Sequence, residues 1–135
     1  SKFSNIGNDG IDGSGSSIFI YNNSFTDVKD KAISAGEESF FLIKDSKFIK
    51  NEIALVSKDG STLISENNLL QNNRVDFTSF VKKKYHGPSK SNFFKTKISS
   101  YLIEKNSLIQ GLDSILYSAD VESKLYGNLY GRASQ

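Results

Sequence analysis

Cut at intervals of 22 residues, the chain brings Gly15, Glu37 and Asp59 into one line and Ser14, Gly36 and Lys58 into the next. The segments involved are Ile11-Asp12-Gly13-Ser14-Gly15-Ser16, Ile33-Ser34-Ala35-Gly36-Glu37-Glu38 and Leu55-Val56-Ser57-Lys58-Asp59-Gly60. If these segments stack as neighbouring strands, the Glu37 and Asp59 carboxylates lie about one strand spacing apart, ~4.8 Å. Carboxylates that close repel unless a cation or a shared proton intervenes. Lys58 is one candidate cation. A bound Ca²⁺ is another, since that ion takes about six to eight oxygen ligands, carboxylates included; Glu37 and Asp59 are its candidate ligands. Asp12, Asp9 and Asp30 add negative charge nearby. Lys58 is the one candidate for a catalytic role, as a base. Paired carboxylates also serve hydrolysis as general acid and base, but adjacent-strand placement is too close for an inverting pair. With nothing bound, the same residues read as a solvated Gly-rich turn whose charges compensate one another.

A repeat must position these residues. Phe3 through Ser17 slides by 22 onto Phe25 through Ser39, and Ala54 through Ser61 continues the pattern; Ser17 recurs at Ser39 and Ser61, and Ile11 at Ile33 and Leu55. A fixed period in the twenties means stacked units, none of which can bury its apolar face alone. Each unit holds two short apolar stretches. One is Ile18-Phe19-Ile20-Tyr21, then Phe41-Leu42-Ile43-Lys44, Leu63-Ile64-Ser65-Glu66 and Tyr101-Leu102-Ile103-Glu104. Its period of two and β-branched content predict strand. An Asn-rich corner follows, at Asn22-Asn23, Asp45-Ser46, Asn67-Asn68 and Lys105-Asn106, with Asn22 and Asn67 expected to point inward and stack. After the corner stands one large apolar residue: Phe3, Phe25, Phe48, Leu70 and Leu108. The other stretch predicts a core column of Ile11, Ile33, Leu55 and Phe77 beside an outward column of Asp12, Ser34, Val56 and Thr78. Gly13, Ala35 and Ser57 suit a tight corner. Ile20, Ile43 and Ile103 are expected to share a core column.

Residues 80–98 break the period. This stretch holds the sole His and the sole Pro of the chain, and Gly87-Pro88 is a turn signal. A long excursion from a solenoid commonly lines a binding face, so Tyr85 and His86 join Asp12, Glu37 and Asp59 as candidate binding residues. The alternative for His86 is an ordinary surface-loop histidine.

Residues 1–135 read as one domain. Apolar content is 37%, below the roughly 45–50% of globular chains, as suits a core that is a thin column. There is no Cys, hence no disulfide or thiol chemistry. No run approaches the ~20 apolar residues of a membrane helix. Net charge is +2, and Lys82-Lys83-Lys84 is too short and isolated for a nucleic-acid stripe. Ser1-Lys2-Phe3 already lies inside the repeat with no cap before it, so the chain is expected to be a piece of a longer protein whose remaining coils pack on it.

The Ile-x-Ile-x-Asn corners, the Phe positions that follow them, and Gly-Ile-Asp, Ala-Ile-Ser and Ala-Leu-Val resemble the right-handed parallel β-helix of pectate-lyase-like proteins. The resemblance spans residues 1–80 clearly and 98–130 loosely. It implies an all-β solenoid with about 22 residues per coil, five or six coils, and one long loop insertion. It further implies an extracellular or cell-envelope protein that binds a polysaccharide, or a lyase-like enzyme in which Ca²⁺ neutralises a uronate carboxylate and a Lys acts as base. A second basic residue at a matching position is missing. The alternative is a non-catalytic structural or adhesive surface solenoid, for which the small residues Ala32, Ala54 and Val56 would form the face.

Overall fold

The computed structural model describes residues 2–126. The first turn of the chain carries β1 (Lys2–Ser4), β2 (Ile11–Ser14) and β3 (Ser17–Tyr21). The second carries β4 (Ser24–Thr26), β5 (Lys31–Gly36) and β6 (Phe40–Lys44). The third carries β7 (Lys47–Ile49), β8 (Ile53–Lys58) and β9 (Thr62–Glu66). The fourth carries β10 (Leu69–Gln71), β11 (Val75–Phe80) and β12 (Lys90–Phe94), and a fifth adds β13 (Tyr101–Ile103) and β14 (Leu108–Gln110). Like strands stack into three sheets: β1-β4-β7-β10, then β2-β5-β8-β11-β13, then β3-β6-β9-β12-β14. Every pairing is parallel. The fold is therefore a parallel β-solenoid of about 22 residues per turn, as the repeat predicts.

Its core is a set of columns. Phe3, Phe25, Phe48 and Leu70 are in register through the first sheet. The rings stack with centroids 4.7 and 4.9 Å apart and planes 6° and 0° from parallel, because the strand spacing itself fixes that separation. Ile11, Ile33, Leu55 and Phe77 form the matching column of the second sheet. Ile20 sits opposite Ile43, 23 positions on. The turn between β5 and β6 is one residue longer than that between β2 and β3, so Ser16, not Ser17, meets Ser39: its amide donates to Ser39 Oγ at 3.2 Å.

Several expectations need correction. Asn22 and Asn67 are exposed corner residues with φ of 55° and 54°, a left-handed conformation that Asn tolerates. The inward ladder lies one position later. Ser46 Oγ accepts from the Asn23 amide at 3.1 Å, and Asn68 Oδ1 accepts from the Ser46 amide at 2.8 Å. Gly13, Ala35 and Ser57 share one register line inside strands, not a corner. At Gly13 the size limit comes from the neighbouring ring, since a Cβ there would lie 2.8 Å from Phe41.

The excursion is shorter than expected: β11 ends at Phe80 and residues 90–94 already form β12. Everything after it shifts phase. Tyr101–Ile103 pairs with β11 in the second sheet, so Ile103 lies beside Ser79, not in the Ile20/Ile43 column. Leu108 lies opposite Lys90 in the third sheet, outside the Phe column, and is 52% exposed. An apolar-x-apolar pattern is the same in both strand classes, and Ser91 hides the inward face of β12.

The outer side of the second sheet is covered by the chain's own later part. Ser118 bridges to Glu104, and residues 121–126 form a short helix. Val121 and Leu125 pack on Ile53, Val56, Val75 and Phe80 in a second apolar cluster. Val56, Ser34 and Thr78 are thus buried rather than solvent-facing, while Asp12 is exposed. Ala32 and Ala54 are also buried, within the main core. The small-residue face is not free. Residues 127–130, at the end of the loose resemblance, lie outside the described residues. Among the described residues no helix is long and apolar enough to cross a membrane.

Candidate functional site

The turn that follows each strand of the second sheet forms as the 22-residue register requires. Gly15, Glu37 and Asp59 all adopt positive φ, at 58°, 45° and 53°. Backbone bonds link the turns: Gly15 N donates to Glu37 O at 2.9 Å and Glu38 N to Asp59 O at 2.8 Å. At the next level the excursion 81–89 leaves the solenoid, and the acidic side chains of the turn hold it down.

Asp59 is 1% exposed, and its Oδ1 accepts from the backbone amides of Lys82 at 2.7 Å and Lys83 at 2.8 Å. Glu37 Oε1 accepts from Lys83 Nζ at 2.5 Å. That bond holds the Glu37 carboxyl below its usual range and the Lys83 ammonium above its own. His86 Nδ1 stands 3.7 Å from Glu38 Oε1, and its Nε2 is buried with no hydrogen-bond partner. The Tyr85 ring lies 4.5 Å from the His86 ring and is 79% exposed. Glu104 Oε2 accepts from the Val81 amide at 2.7 Å. A cleft of about 290 Å³ opens beside His86, lined also by Lys84, Pro88, Glu104 and Lys105.

Lys58 ends β8 opposite Phe80. Burial pushes its ammonium below the usual range, and the charges of Lys31 and Lys82 add to that push, while Asp12 and Asp59 oppose it. Asp12, Lys58 and Asp59 are therefore near enough to feel one another. Asp59 uses its Oδ1 on two amides, Glu37 is paired with Lys83, and no group of three or more acidic or His side chains gathers among the described residues. Lys83, Glu38 and Glu104 were not picked out in the sequence, because the excursion's path decides which turn they touch.

A second surface escaped the sequence reading altogether. With Ile20, Phe41, Ile43 and Leu63 buried, the alternate residues of the third sheet face out. Phe19 is 72%, Tyr21 63% and Phe94 52% exposed. Phe19, Leu42, Ile64 and Asn92 are in register across four strands, as are Tyr21, Lys44, Glu66 and Phe94. Phe19 meets Phe40 edge-on at 6.3 Å. Lys44 Nζ lies 5.9 Å from the Tyr21 ring centroid and 3.7 Å from Glu66 Oε2. The signal was present: the alternation that sends Ile18 and Ile20 inward sends Phe19 and Tyr21 outward.

No family model, curated protein or solved structure matches the chain.

Proposed function

We propose that the chain is a non-catalytic recognition module, a solenoid segment of an extracellular or envelope protein whose further coils continue the stack. One observation carries this reading. The side chains best suited to acid–base or cation chemistry are committed to anchoring the excursion: Asp59 to two backbone amides and Glu37 to Lys83. A carboxylate that accepts two amides in a buried site is a structural staple, and re-using it in a reaction would cost the loop its attachment. The resemblance to pectate-lyase-like β-helices supports the surface location, and fold alone does not choose an activity.

Lys58 favours a second reading, a lyase-like enzyme acting on an acidic polysaccharide. A lysine held below its usual range is poised to act as a base. The purified chain, incubated with polygalacturonate and other uronate polymers with and without Ca²⁺, separates the two by the absorbance of unsaturated products. The module reading expects no product. Product formation that disappears in Lys58→Gln would establish the enzyme instead.

A further inference from the structure

Building on the non-catalytic reading, we propose that the outer face of the third sheet binds a neutral polysaccharide, with the sugar rings lying on Phe19, Tyr21, Phe40 and Phe94. Three features select this occupant. First, the face is a parallel array in register, in which Phe19 and Tyr21 project on one strand and Phe94 on another. Exposed aromatic rings on a rigid sheet offer large apolar contact at little ordering cost, and a sugar ring has an apolar face to set against them. Second, the apolar columns are interleaved with hydrogen-bonding side chains. Asn92 follows Ile64, Gln110 follows Asn92, and Thr62 separates Phe40 from Lys90. Such mixing suits hydroxyl groups better than the continuous apolar surface of a subunit interface. Third, charge is sparse where the rings are. Lys44 and Glu66 lie 3.7 Å apart and offset one another, and Lys90, beside Thr62, adds one positive charge among the outward residues of the sheet, too little to select an acidic chain. This separates it from the uronate expectation attached to the turn around Glu37, Lys58 and Asp59.

The test is affinity electrophoresis of the described chain through gels containing mixed-linkage β-glucan, xylan or galactomannan, with polygalacturonate as the acidic control, at low and high salt. Retardation by at least one neutral polymer is expected, unchanged by salt. Phe19→Ala and Tyr21→Ala should each weaken it about tenfold, the size of one lost stacking contact, while their circular dichroism and melting temperature stay close to the parent's. No retardation by any neutral polymer would overturn the proposal. So would retention confined to polygalacturonate and abolished by salt, which would return the site to the basic excursion. Concentration-dependent dimerisation in sedimentation that Phe19→Ala removes would likewise overturn it, by showing a second copy on the face. None of these outcomes depends on product formation, so the recognition-module reading stands or falls separately in the uronate assay.

Discussion

At the scale of single residues, Asp59 is the most consequential side chain of the turn. It is buried, and two amides of the excursion depend on it. Asp59→Ala leaves both donors unpaired and should cost about 1–3 kcal/mol, with limited proteolysis appearing inside residues 81–89. Asp59→Asn keeps an acceptor oxygen and should be milder. Equal protease resistance in the parent and the Ala variant would remove the staple role. The Glu37–Lys83 pair acts on the same loop from the surface. Glu37 is held below its usual value of 4.5, so its contribution is complete above that pH and fades as pH falls through the folded value. Lys83 is held above its usual 10.5, so its contribution is complete below that pH and fades only as pH rises through its higher folded value. Loop protection measured by hydrogen exchange should therefore be flat at neutral pH and fall in acid, and added salt should reduce it because the pair is solvent-facing. Protection that is insensitive to both acid and salt would show that the pair contributes nothing.

Among the elements, the strap formed by residues 111–126 decides what the second sheet can do. Without it, Ile53, Val56, Val75 and Phe80 would present an apolar strip to water; with it, Val121 and Leu125 seal that strip. A guanidinium bond from Arg74 Nη2 to Leu125 O at 2.6 Å and the Lys31 ammonium over the Tyr126 ring hold the helix in place. A helix of this length has no stability of its own and exists by packing. Leu125→Ala should cost about 2–5 kcal/mol and should raise binding of an apolar dye as the strip opens. A variant with unchanged stability and no dye binding would mean that the strap is only loosely seated. The contrast with the third sheet is instructive. One outer face is covered by the chain itself, the other leaves its aromatic rings in solvent.

For the whole molecule, stacking makes each turn depend on its neighbours. Phe48 is fully buried between Phe25 and Leu70, whereas Phe3 touches the Phe column on one side only and is half-buried. Phe48→Ala should therefore cost about 3–5 kcal/mol and Phe3→Ala distinctly less, read from urea unfolding followed by circular dichroism. Equal losses at the two positions would contradict a core in which each ring is held by the neighbours it stacks on. The parallel pairing also explains how a 37% apolar chain folds. Three thin sheets share one narrow core, and the polar remainder forms corners whose backbone groups bond from one turn to the next.

What the sequence determined by itself was the period, and with it most of the fold. A 22-residue spacing with alternating apolar residues leaves few ways to bury them, so the Phe column, the Ile11/Ile33/Leu55/Phe77 column and the Gly15/Glu37/Asp59 turn were all legible. Legibility ended where the period slipped. One extra residue between β5 and β6 set Ser39 against Ser16 instead of Ser17, and after the excursion before β12 Ile103 and Leu108 fall one sheet away from the expected columns. An alternation of two carries no label saying which sheet a strand joins. The Asn corner was off by one place for a related reason: Asn serves both an exposed left-handed corner and a buried ladder, and only the backbone path assigns Asn67 to the first and Asn68 to the second. The site was left to the tertiary structure almost entirely. Whether Glu37 and Asp59 face a ligand or a loop depends on where residues 81–89 return, and whether an outward strand face meets water depends on where residues 111–126 lie. Both are long-range contacts that no local spacing encodes.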